Sequence, residues 1–186
     1  MRLDLAIVKV GGSLYDIPDL GSRLNAWLTH LPAPKVLFVP GGGPTAEVVR
    51  HFDRIHQLGD EQAHWLALGA LSLNARFLNR LLLSAPVIDH PDEARDTCIL
   101  DPFAFLRRDD RLPHSWSVTS DAIAAHAALV AGAQHLILLK SVSIPEDMDW
   151  DEAGERGYVD PWFARTVRPA LPRLQVRAVN FRDWTP

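Results

Sequence analysis

Residues 5–14 read Leu5-Ala6-Ile7-Val8-Lys9-Val10-Gly11-Gly12-Ser13-Leu14. The first six have the length and β-branched content of a buried strand, yet the fifth is a lysine. A strand covered on both faces excludes an unpaired ammonium, because desolvating it is costly. Lys9 must therefore reach water at the strand's open end or meet an anion there. The glycines that follow form a turn whose backbone N–H groups a ligand can approach without a Cβ in the way.

The pattern recurs. A second strand, Val36 to Val39, runs into Pro40-Gly41-Gly42-Gly43-Pro44-Thr45, with Pro44 suited to the first turn of a helix. Exposed N–H groups together with a helix N-terminus make an anion site. One such cluster would read as a simple strand-to-helix turn; two, one of them beside a lysine, favour phosphate. Neither continues to Gly-Lys-Ser/Thr, so this is no Walker A loop. Gly41-x-Gly43-x-x-Ala46 formally meets the dinucleotide fingerprint. However, the acids at about the right distance, Asp60 and Glu61, open a helix instead of ending a strand, and that match leaves Lys9 unexplained.

Around these turns, strands and helices alternate. Residues 19–30 suit a short helix with Leu20, Leu24, Trp27 and Leu28 on one side, and a second helix follows Pro44 through Phe52. Residues 60–83 form the longest helical candidate, with Ala63, Leu66, Ala67, Ala70, Leu71, Leu78 and Leu82 at spacings of three and four. Short strands are expected at 86–88, 97–100, 136–139 and 174–179, a helix from Asp121 to about Val130, and an exposed acidic loop or hairpin at 145–157. This alternation implies a single α/β domain with a mostly parallel sheet covered by helices on both faces.

Composition narrows the function. The 186 residues are 47% hydrophobic and 23% charged, with a net charge of −4 and no basic tract, which argues against a nucleic-acid footprint. A phosphate site must then be built locally. Cys98 is the only cysteine, so no intrachain disulfide forms. No leader pattern or membrane-length apolar window is seen, and a cytoplasmic protein is expected. His51, His56 and the pair His64-Trp65 do not have His-Glu-x-x-His spacing and no cysteine joins them, so no protein-held metal is expected.

A third motif, Trp116-Ser117-Val118-Thr119-Ser120-Asp121-Ala122-Ile123, sets an acid at a helix start. Capping and dipole complementarity would suffice to explain it alone. Lys140 then closes the strand 136–139, placed much as Lys9 is. Together VKVGGSL (8–14), VPGGGPT (39–45), VTSDAIAAHAA (118–128) and LILLKSV (136–142) resemble, in order, the amino acid kinase superfamily of acetylglutamate, aspartate, uridylate and isopentenyl phosphate kinases. Within it, VRHFDRIHQLGDEQAHWLALGAL (49–71) and GYVDPWF (157–163) are most similar to the (aminomethyl)furanmethanol phosphate kinase branch, which serves methanofuran-type one-carbon metabolism and makes a diphosphate from a phosphate.

The resemblance implies a three-layer αβα sandwich, abbreviated at the C-terminus, that uses ATP, with Mg²⁺ held by the ATP phosphates and water. About 1–115 would bind a small phosphorylated acceptor and about 116–186 the nucleotide. Lys9, Asp121 and Lys140 would be catalytic, the aspartate orienting the two lysines. Gly11, Gly12, Ser13, Gly41, Gly42, Gly43, Arg50 and His64 would hold phosphate and acceptor, with Asp53 beside them. Lys140, Ser141, Tyr158 and Asp160 would meet the nucleotide. One departure is clear: many relatives have a Val-Asp-Gly turn where this chain has Ser141-Val142-Ser143-Ile144-Pro145-Glu146. Two other classes stay open, a phosphate-binding protein without turnover and a nicotinamide-dinucleotide enzyme. Finally, Trp65, Leu68, Leu73 and Phe77 lie off the main stripe of 60–83. A second apolar stripe implies another covered surface, and the resemblance points to a homodimer across this helix.

Overall fold

The computed structural model describes residues 5–31, 33 and 35–185. Leu5–Val10 forms β1, buried along its whole length, as expected for a strand covered on both faces. β2 (Lys35–Pro40) and β5 (His135–Lys140) flank it. β4 (Thr97–Leu100) and the short β3 (Val87–Ile88) extend the sheet beyond β2, and β6 (Gln175–Asn180) extends it beyond β5. The order is β3-β4-β2-β1-β5-β6. Every pairing among the described residues is parallel, so the expected mostly parallel sheet is wholly so.

Side-chain alternation divides the core in two. Leu5, Ile7, Leu136 and Leu138 point to one face and pack with the alanines of α5 (Ser120–Ala131). Ala6, Val8, Val10, Ile137 and Leu139 point to the other, under α1 (Leu20–Leu28) and the end of α3 (Asp60–Leu81). Lys9 and Lys140 continue the odd series of β1 and the even series of β5, so period two alone carries both onto the α5 face. α5 is small-sided because it is enclosed: all nine residues from Ser120 to Ala128 are buried. It stops at Gly132, whose φ of +61° suits glycine after the last helical turn.

α2 (Gly43–His56) packs on α3 and has no buried residue of its own. Three further helices complete the chain: α4 (Pro102–Arg108), α6 (Trp150–Glu155) and α7 (Phe163–Val167). α4 begins with Asp101 accepting from the Phe103 and Ala104 N–H groups, both at 3.1 Å.

Two expectations need correction. Residues 145–157 are not simply a loop: Asp149 accepts from the Glu152 N–H at 2.7 Å and starts α6, which buries Ala153. The Asp-x-x-Glu spacing is a helix-start signal hidden in an acidic run. On α3 the inward stripe is His64, Leu68, Leu71, Ala75 and Leu78, with Ser72 and Asn74 beside it, while Leu66 is 49% exposed. Buried polar residues on that stripe disguised the true phase of the helix. Among the described residues, no helix is long and apolar enough to cross a membrane.

Candidate active site

From β1 the chain moves to β2 on one side and later to β5 on the other, so the strand order reverses at β1. In parallel sheets ligands settle at the carboxyl ends of strands beside such a reversal. The three strand ends there are Val10, Pro40 and Lys140, two of them running into the glycine turns.

Lys9, Asp121 and Lys140 meet on the α5 side. Asp121 Oδ1 lies 3.0 Å from Lys9 Nζ, and Lys140 Nζ donates to Oδ2 at 2.6 Å. All three residues are buried, at 5%, 4% and 9% exposure. Burial pushes the Asp121 carboxyl up, but the two ammonium charges outweigh it and hold the group below the ordinary carboxylate range. Burial and the Lys9 charge bring Lys140 down to about 8, against the pull of Asp121. Helix capping does not account for Asp121. That task falls to Asp160, whose Oδ2 accepts from the Thr119 and Ala122 N–H groups at 3.0 and 2.9 Å and from the Thr119 hydroxyl at 2.9 Å.

The glycine turns interlock. A methyl group on Gly12 would overlap the Gly43 nitrogen and lie 2.5 Å from its Cα; one on Gly41 would overlap Gly12 N and lie 2.6 Å from the Val10 carbonyl oxygen. Gly43 also has φ of +54°. Close backbone approach therefore requires glycine here, independently of any ligand. Asn74 fixes the second turn from below: its Nδ2 donates to the Gly41 and Gly42 carbonyl oxygens at 2.8 and 2.7 Å. The Tyr15 hydroxyl adds a bond to the Gly41 carbonyl at 3.1 Å.

A cavity of about 580 Å³ opens over these turns. Gly12, Ser13, Gly42, Gly43, Arg50 and His64 line it; Lys9, Asp121 and Lys140 do not, although the chain neighbours Gly12 and Ser120 do. Its apolar wall comes from Leu68, Leu71, Val118 and Ile123, and carboxylates stand at Asp16, Glu47 and Asp60.

No protein-family model matches the chain. Over 146 residues it is 28% identical to the [5-(aminomethyl)furan-3-yl]methyl phosphate kinase of Methanocaldococcus jannaschii, covering 73% of this chain and 65% of that enzyme. Its structure matches uridylate kinase from Archaeoglobus fulgidus with a TM-score of 0.65 at 17% identity, over 97% of this chain and 93% of the other. For UMP kinase from Bacillus anthracis the TM-score is 0.64 at 14% identity, over 98% and 89%. For aspartate kinase from Synechocystis it is 0.61 at 14% identity, over 94% of this chain and 38% of that one. The chain has the amino acid kinase fold.

Other residues singled out in the sequence settle around this amino acid kinase framework in different ways. The Ser13 hydroxyl donates to that of Ser141 at 2.9 Å, bringing two of them together. The Arg50 guanidinium lies 4.2 Å over the Trp116 ring, whose Nε1 donates to Asp53 at 2.7 Å. Tyr158 is half-buried against the core and does not line the cavity. Asp160 does not line it either, and its other oxygen accepts from Trp162 N–H at 3.0 Å; it positions α5 instead of facing open space. Sequence reasoning missed Trp116, Asp16, Asp60, Asn74 and Arg182. Only Asn74 gave a signal, as an amide amid the apolar residues of α3.

His64 stacks on His114, with centroids 4.2 Å apart and planes at 14°. His114 is set between Glu61 and Asp110, and its hydrogen bonds to them raise its pKa despite some burial. Burial and the charge of His114 push His64 down to about 4. His64, Asp110 and His114 offer ligand atoms within 4.8 Å of one another, but nearly parallel rings do not direct their in-plane nitrogens at one ion.

The Lys140 shift gives a direct test. Lysine side chains followed by ¹³C NMR across a pH titration should show Lys140 losing its proton near pH 8. Asp121→Asn, which removes the anion that favours the charge, should move that midpoint lower. Because the unfolded chain keeps this proton up to the ordinary 10.5, Lys140 makes folding more favourable as pH rises from about 8 to 10.5. A wild-type midpoint at the ordinary lysine value would contradict the described geometry.

Proposed function

We propose that this chain is an ATP-dependent small-molecule kinase that phosphorylates an existing phosphate. The acceptor we assign is [5-(aminomethyl)furan-3-yl]methyl phosphate, and the product its diphosphate. The observation that carries the reading is the pair of buried lysines sharing one carboxylate beside two interlocked glycine turns. Two ammoniums and one carboxylate leave one net positive charge in a desolvated place, and an arriving phosphate is the partner that compensates it.

In this reading about 1–115 binds the acceptor and about 116–186 the nucleotide. Lys9 neutralises charge between donor and acceptor, Lys140 serves the nucleotide phosphates, and Asp121 keeps both ammoniums in place. Backbone N–H groups of Gly11–Gly12 and Gly41–Gly43 hold phosphate oxygens. An acceptor oxygen attacks Pγ, the bond from Pγ to the bridging oxygen breaks, and ADP leaves. A phosphate monoester has a second pKa of about 6, so its attacking oxygen is already deprotonated at neutral pH and no strong base is needed. Mg²⁺ on the ATP phosphates would supply further charge neutralisation. The apolar wall of Leu68, Leu71 and Val118 suits a flat ring, and Asp60 suits an ammonium at its far end. Identity to the M. jannaschii enzyme supports that acceptor above isopentenyl phosphate, uridylate or an amino acid.

The assembly is part of the same proposal. Val48, Phe52 and Ile55 on α2 and Leu66, Leu73 and Phe77 on α3 are 40–58% exposed, on helices that pack together. Two apolar stripes of this kind need cover, and we assign it to a second copy of the chain related by a two-fold axis.

Steady-state ADP release with the furan phosphate, isopentenyl phosphate, uridylate and amino acids as acceptors tests the chemistry. Turnover is expected with the furan phosphate, and Lys9→Ala should lower kcat by about 100-fold or more without unfolding the protein. ATP binding without turnover on any acceptor would favour a non-catalytic phosphate-binding protein instead. Light scattering should give twice the 20.7 kDa chain mass, and Leu73→Glu should return the monomer; a monodisperse wild-type monomer would refute the dimer.

A further inference from the structure

Arg182 sits just past β6, in the short tail that follows the sheet. Its side chain nevertheless lines the cavity with Gly12, Ser13, Gly42 and Gly43. A single nitrogen, Nη2, makes all its hydrogen bonds to the described residues: to the Ser13 carbonyl oxygen at 2.6 Å and to the two Asp16 carboxylate oxygens at 2.7 and 2.9 Å. Nε and Nη1 have no partner among the described residues. The backbone that presents the guanidinium is itself tied down. Arg23 donates to the carbonyl oxygens of Phe181 and Arg182, at 2.5 and 3.1 Å, and to that of Trp184. Phe181 is fully buried and stacks on Trp184.

A tail latch accounts for the Asp16 pair but not for the unused edge of the fork beside a phosphate turn. An exposed ion pair contributes under about 1 kcal/mol, and a lysine would serve it as well. A planar fork fixed at one nitrogen, with donors left over, is the geometry that grips two oxygens of a phosphate.

We propose that Arg182 is a phosphate-binding residue. Its free edge takes non-bridging oxygens of a phosphate seated over Gly12 and Ser13, and Asp16 is the positioning residue that fixes the guanidinium plane. This rests on the preceding functional reading only in requiring that the cavity take phosphate.

Calorimetric titration with MgATP and, separately, with inorganic phosphate tests the proposal on wild type, Arg182→Gln, Arg182→Lys and Asp16→Asn. Arg182→Gln should weaken at least one of the two ligands about tenfold, Arg182→Lys should recover part of the loss, and Asp16→Asn should show a smaller one. A response with MgATP alone assigns the contact to the nucleotide; a response with inorganic phosphate places it on a phosphate subsite that does not need the nucleotide. Millimolar guanidinium ion should restore affinity to Arg182→Ala, which mending a latch would not do. The proposal is overturned if folded Arg182→Gln, melting where wild type melts, binds both ligands within twofold of wild type. Should Arg182→Gln fail to fold, wild-type affinities in folded Arg182→Lys together with no guanidinium rescue overturn it equally. Wild type that binds MgATP yet phosphorylates no acceptor removes the kinase reading and leaves Arg182 to be decided by the affinities. Wild type that binds neither anion removes both.

Discussion

One carboxylate serves two buried ammonium groups, and the arrangement of the sheet ends follows from that imbalance. A matched buried pair could be replaced by packed apolar groups with little loss. Asp121 shared between Lys9 and Lys140 cannot, because a net positive charge remains where water is scarce. The chain meets this demand with period two in adjacent strands, which sets both lysines on one face, and with α5, which brings the acid to them. Asp160, from a turn nearly forty residues on, satisfies the N-terminus of α5 and so leaves Asp121 free for the lysines.

The glycine turns show a second constraint with two causes. Gly12, Gly41 and Gly43 are required by each other's backbones, whatever binds. That same close approach leaves N–H groups without side-chain cover at the ends of β1 and β2. Packing and anion binding therefore make the same demand of these positions, and Asn74 and Tyr15 secure it by holding the carbonyl groups of the second turn.

This explains how far the sequence could be read. Lys9 and Lys140 were conspicuous because ammonium groups interrupt apolar strands, and the strands themselves followed from β-branched runs. The order of the strands and the meeting of the lysines with Asp121 came from the resemblance of four motifs, not from periodicity. The phase of α3 was misread because His64, Ser72 and Asn74 are polar yet buried, each set against a neighbour that no pattern in the chain announces. α6 was hidden by its acidic run, although Asp149 and Glu152 carry its start signal. Arg182 and Asp16 lie 166 residues apart and meet only because β6 borders β5 beside β1.

The central claim is that this site moves a phosphoryl group onto a phosphate. ³¹P NMR of the protein with MgATP and [5-(aminomethyl)furan-3-yl]methyl phosphate observes that bond directly. The account predicts loss of the acceptor's monoester resonance and of the ATP γ signal, with a new pair of mutually coupled diphosphate resonances beside those of ADP. An unchanged monoester signal, with ATP either intact or yielding only inorganic phosphate, would contradict it.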